Sequence, residues 1–138
     1  MKEQQKDRSC EARVEKHMQG RLDDLRALWA AFLQGRADDA LGSLNEYALC
    51  FDYVAPGIFD GQTEGYFRYQ ISYGGPSDEF RFFVNPDFTV HRIEYWFLDW
   101  FDGAHRVLQD EPAQGLRNLW DWLSPAGMVL SAYRQAQR

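Results

Sequence analysis

The residues best equipped for chemistry fall between His91 and His105: His91, Glu94, Asp99, Asp102 and His105. Imidazoles and carboxylates in one segment are the raw material of a metal site or an acid/base pair. Spacing works against most of them. On an extended chain, residues an odd number apart point to opposite faces, which parts His91 from Glu94. His91 and Asp99 share a face but stand about 26 Å apart at about 3.3 Å per residue. Two ligands of one ion must each lie about 2 Å from it. Asp102 and His105 flank a turn and can approach each other. A small metal-dependent or acid/base enzyme built on His91, Asp102 and His105 is therefore the alternative reading, set against Asp102 as a turn former and His105 as a half-exposed strand residue.

Nucleophile and phosphate motifs are weaker. Cys50 lies between Leu49 and Phe51 in an apolar run and is expected to be a small buried hydrophobe. Gly74-Gly75 precedes Pro76, with no helix start or Lys, and reads as a hairpin turn rather than a phosphate loop. Two cysteines lack the paired spacing of a zinc site and are expected to be free thiols. No cofactor and no metal is expected.

Charge carries more information. Residues 1–36, 37–111 and 112–138 hold net charges of +2, −10 and +2, which make up the overall −6. The middle segment also holds most of the aromatic residues. Its fourteen acids face four arginines, an acidic and aromatic surface better suited to a basic partner than to a nucleic-acid backbone. The candidate partner-binding residues are Asp52, Asp60, Glu64, Asp78, Glu79, Asp87, Glu94, Trp96, Asp99, Trp100 and Asp102. Glu94–Phe101 is apolar on both strand faces, so it is either a covered central strand or a sticky surface. Trp122, off the stripe of its helix, is a second candidate anchor.

The elements that must position these residues follow from periodicity. A tail is expected over 1–10. Val14, Met18, Leu22, Leu25, Leu28 and Phe32 predict a helix over about 11–35, with Gly35 at its end. Asp38-Asp39 is expected to start a short helix ending near Asn45. Period-two alternation then predicts strands at 47–54, 66–73, 79–84 and 88–100, and a short edge strand at 104–108 after an Asp102-Gly103 turn. Leu116, Leu119, Trp120 and Leu123 mark a helix, and Ser124-Pro125 is expected to cap a last one. The reading is an α+β fold: an N-terminal helix, a four- to five-stranded antiparallel meander and two C-terminal helices, as one domain over 11–138. No apolar run reaches the roughly 20 residues that span a bilayer. The charged start lacks a signal peptide's apolar stretch, so a cytoplasmic location is expected.

Gly65–Phe83 and His91–Ala104 resemble small uncharacterised accessory proteins carried by bacterial plasmids, integrative elements and phages. The likeness covers about the middle half of the chain and brings no catalytic motif, so no residue role comes with it. It implies an accessory role in a bacterial host cell, such as blocking a restriction or CRISPR system. The expectation is a non-enzymatic acidic protein that occupies a basic surface of a host defence complex, without binding nucleic acid or membrane itself. A self-associating structural subunit is the third reading, and a homodimer is compatible with it.

Overall fold

Val14, Met18, Leu22, Leu25 and Leu28 form the buried stripe of α1 (Cys10–Leu33). The short α2 (Leu44–Tyr47) follows. The chain then runs through β1 (Cys50–Val54), β2 (Tyr66–Ser72), β3 (Ser77–Val84), β4 (Val90–Asp99) and β5 (Asp102–Val107). It ends in α3 (Asp110–Leu123) and α4 (Met128–Ala136). This is a computed structural model that describes residues 9–137. The strands lie in chain order, β1-β2-β3-β4-β5, each antiparallel to its neighbour. The fold is α+β, with all five strands in a single meander.

Parity divides the sheet. Phe67, Tyr69, Phe80, Phe82, Ile93, Tyr95 and Phe97 face the helices and share one core with Leu22, Leu28, Leu116, Leu119, Trp120 and Leu123. Phe67 is fully buried and meets the rings of Phe51, Tyr53, Phe88, Trp120 and Tyr133. Such burial stabilises by about 1.5–3 kcal/mol per large apolar side chain. Among the described residues no helix covers the opposite face. There Val54, Tyr66 and Phe83 form a small separate cluster beside the 55–65 loop.

Side chains tie α1 to the far end of the sheet. Ser9 Oγ accepts from Ala12 N, and Asp102 Oδ2 accepts from Cys10 N at 2.7 Å. Arg13 pairs with Asp99 at 2.7 Å, and Arg106 reaches Glu11 and Glu15. These bonds place the helix N-terminus, with its partial positive charge, beside the β4–β5 turn.

Several boundaries differ from the sequence reading, each for a local reason. Cys10 belongs to α1 and is fully buried rather than in a tail, because Asp102 and Ser9 supply its cap. The rest of the expected tail, 1–8, lies outside the described residues. Asp38 starts a turn, not a helix: its Oδ2 takes the amides of Ala40 and Leu41, and helix begins only at Leu44. Cys50 opens β1 and is exposed, because its parity matches Asp52 rather than Phe51. The turn after β4 is Trp100-Phe101, while Asp102 already pairs with Asp99 as the first residue of β5. Ser124 closes α3 instead of capping α4, which starts after Gly127 at φ 81°.

Candidate functional site

Opposite charges two residues apart on a strand share a face, and on β3 and β4 this places Glu79 beside Arg81 and Arg92 beside Glu94. Arg81 Nε donates to Glu79 Oε2 at 2.7 Å. Arg92 Nε donates to Glu94 Oε2 at 2.9 Å. On β2, Arg68 grips Asp52 of β1 through two bonds, at 2.9 and 2.6 Å. This fork is the cross-strand pairing expected of directly opposed residues. It raises the Arg68 guanidinium above its ordinary value.

Rings and guanidinium planes are stacked through this array. His105 lies parallel to Trp96 at 4.3 Å. The Arg81 guanidinium lies 3.9 Å from the ring centroid of Trp96 and 4.4 Å from that of Tyr66. Arg92 covers Phe83 at 3.9 Å. Each such contact is worth about 0.5–2 kcal/mol, more where water is excluded. Trp96 Nε1 donates to Glu94 Oε1 at 2.8 Å, which locks the indole to the same network.

Above the array is a cavity of about 540 Å³, walled by the 59–64 loop on one side. Gln62 organises that loop, donating to the carbonyls of Ala55 and Glu64 and accepting from Phe59 N. Arg92 Nη2 pins it to β4 through Glu64 at 2.7 Å. Tyr66 lines the cavity, and its hydroxyl is buried with no hydrogen-bond partner among the described residues. An unmet buried hydroxyl costs about 1–3 kcal/mol. Burial also pushes its ionisation upward, opposed by Arg81. A groove of about 200 Å³ between α1 and α3 is lined mainly by apolar groups such as Leu22, Trp29 and Leu116. It lacks a comparable polar array.

The carboxylates singled out from the sequence do not merge into one negative patch. Asp52, Glu64, Asp78, Glu79, Glu94 and Asp99 are each ion-paired with an arginine. Asp78 lies on the helix-facing side, buried, and takes bonds from Arg21, Ser72 and Tyr95. Asp87 accepts from Thr89 in the β3–β4 turn. Asp102 caps α1, and the Cys10 amide holds its carboxyl below the ordinary range. Asp60 is exposed on the cavity loop. Trp96 is in the stack, whereas Trp100 is 89% exposed and Phe101 wholly exposed at the β4–β5 turn. Tyr73, at the β2–β3 turn on the same end of the sheet, is 81% exposed. Trp122 is half-buried with its ring against Phe32, which leaves it a minor anchor at most.

The enzyme alternative loses its geometry. His91 lies near the start of β4, Asp102 opposes Asp99 at the far end, and His105 pairs with Trp96. Among the described residues no three His, Cys, Asp or Glu side chains come together to hold a metal ion. No helix among them is long and apolar enough to cross a membrane. The residues missed from sequence are Arg81, Arg92 and Tyr66. Their signal was the run of opposite charges at two-residue spacing in β3 and β4. Comparison with protein-family models, curated proteins and solved structures finds no match.

Proposed function

We propose that the protein works by non-enzymatic docking onto a protein or protein–nucleic-acid complex, with the rings at the turn end of its sheet as anchors. One observation carries this reading: Trp100 and Phe101 are 89% and 104% exposed at a two-residue turn. Trp100 also holds φ 57° there, a left-handed conformation that bulky residues seldom adopt and that costs about 1–3 kcal/mol. Glycine or asparagine would fit such a turn at less cost. Large rings displayed in this way are typical interface anchors.

Charge plays a smaller part than the composition implies. Arginine pairing takes up six of the nine candidate carboxylates, so the net −6 steers approach rather than supplying the contact energy. What supports a host nucleic-acid-processing defence complex as the partner is the resemblance of Gly65–Phe83 and His91–Ala104 to mobile-element accessory proteins. Blocking CRISPR or restriction complexes is the role that likeness implies.

The test is a pull-down against such complexes with the native chain and a Trp100→Ser/Phe101→Ser variant, at low and at high salt. The expected result is capture that weakens modestly with salt and disappears with the two substitutions, at an unchanged melting temperature. Capture that survives the substitutions overturns the anchor assignment. The same rings can pair two copies of the chain, and the mass in solution of native and variant protein separates that reading.

A further inference from the structure

Arg81 is held more tightly than an arginine at a sheet surface needs to be. Its guanidinium lies against two rings, 3.9 Å from the Trp96 centroid and 4.4 Å from the Tyr66 centroid. Its Nε is taken by Glu79. Its two terminal nitrogens donate to no group among the described residues, and its side chain is only 14% exposed. A guanidinium clamped in plane with its outer edge unused is a fork shaped for a carboxylate, which accepts two parallel hydrogen bonds from it. The Tyr66 ring lies against the same guanidinium, and its hydroxyl is buried and without a partner among the described residues.

The rest of the cavity limits what such a carboxylate can belong to. Asp60, Glu64, Glu79 and Glu94 line the same space, so a simple anion entering it meets four carboxylates. A simple cation meets Arg68, Arg81 and Arg92. A molecule carrying both charges avoids both penalties, its carboxylate at the Arg81 edge and its ammonium toward the glutamates. Trp96 is already stacked by His105 and covered by Arg81, so an aromatic ligand would have to displace one of them to stack on the indole. The volume of about 540 Å³ lies in the range of small-molecule sites. The rim loop is fastened to the floor through Glu64, whose side chain is half exposed and able to release.

We propose that this cavity binds a small zwitterion of amino-acid or dipeptide size, with Arg81 and Tyr66 receiving its carboxylate and Glu79 and Glu94 facing its ammonium. The site does not depend on the docking role of Trp100 and Phe101, and either reading stands if the other fails.

The experiment is an NMR titration that follows the Trp96 indole N–H. The probes are glycine, L-phenylalanine, L-glutamate, L-lysine and glycylglycine, with N-acetylglycine and glycinamide as singly charged controls. The expected result is a saturable shift with at least one zwitterion and binding at least about tenfold weaker for both controls. Arg81→Lys keeps the charge but loses the planar fork, and is expected to weaken binding at least about tenfold. Tyr66→Phe removes only the unmet hydroxyl. It is expected to melt no lower than the native protein and to bind several-fold more weakly, so loss of binding is separable from loss of fold. Three results overturn the proposal: no saturable shift with any zwitterion up to about 50 mM, controls that bind as well as the zwitterions, or a Tyr66→Phe variant with undiminished affinity.

Discussion

Asp102 Oδ2 accepts the backbone N–H of Cys10 at 2.7 Å, joining the first residue of β5 to the first residue of α1 across 92 positions. A carboxylate at a helix N-terminus meets both an unsatisfied amide and the positive end of the helix dipole. The bond fixes where α1 crosses the sheet, together with Arg13–Asp99.

Asp102 is therefore expected to matter for stability. Its carboxyl is held below the ordinary value of 3.8, first by the Cys10 amide. A depressed carboxyl contributes stability above its unfolded value and loses that contribution as pH falls through the folded one. Asp102→Ala should melt below the native protein near neutral pH. The gap should close in strong acid, where Asp102 is protonated in both states of the native chain. Melting curves of both proteins across the acid range check this, and a gap independent of pH rules out the cap.

His17 weakens the fold in the same direction of pH, over a higher window. Its ring stacks on Phe97 at 4.3 Å, and burial, helped by Arg13, Arg21 and Lys16, lowers it from 6.5 against the pull of Asp78. A histidine depressed in the fold resists protonation, so its contribution is present above 6.5 and is lost as pH falls through the lower folded value. Native protein should lose stability over that window, and His17→Phe should flatten the loss. Urea unfolding at neutral and mildly acid pH measures the difference.

Asp78 is the buried hub beneath α1. Its oxygens take Arg21 at 2.7 and 3.1 Å, Tyr95 at 2.6 Å and Ser72 at 2.5 Å. Removing one partner of a buried ion pair strands the other, at about 3–5 kcal/mol. Asp78→Ala should lose about that much in urea unfolding, and Arg21→Met should also be strongly destabilising, because it leaves the Asp78 carboxylate, 2% exposed, without its counter-charge. Losses under about 1 kcal/mol for both variants contradict the hub role.

Gly65 permits a close approach. A Cβ there would stand 2.0 Å from Tyr53 Oη, and Tyr53 is held by Phe67 and Tyr133. Gly65→Ala should therefore cost about 1–3 kcal/mol by overpacking, read in thermal or urea unfolding. A neutral substitution means that Tyr53 moves freely.

Much of the architecture was legible along the chain. Phe67/Tyr69 and Phe80/Phe82 repeat every second residue, and Leu116/Leu119/Trp120/Leu123 repeat at helical spacing. Local periodicity is set by backbone geometry, so it survives reading in one dimension. The site was only half legible. Glu94, Trp96 and Glu79 were recognised, but as carboxylates and a ring rather than as partners of Arg92 and Arg81.

What the chain determined alone is which residues share a face: Asp52, Arg68, Glu79, Arg81, Glu94 and Trp96 on one side, the large rings of the core on the other. What only tertiary structure decided is which of them meet. Strand register set Arg68 against Asp52, and loop closure brought Glu64 to Arg92. The packing of α1 turned Asp102 from a turn residue into a helix cap. Each pairing joins groups brought together by the sheet and its loops, and Coulomb and hydrogen-bond energies depend on that distance through space rather than on separation along the chain.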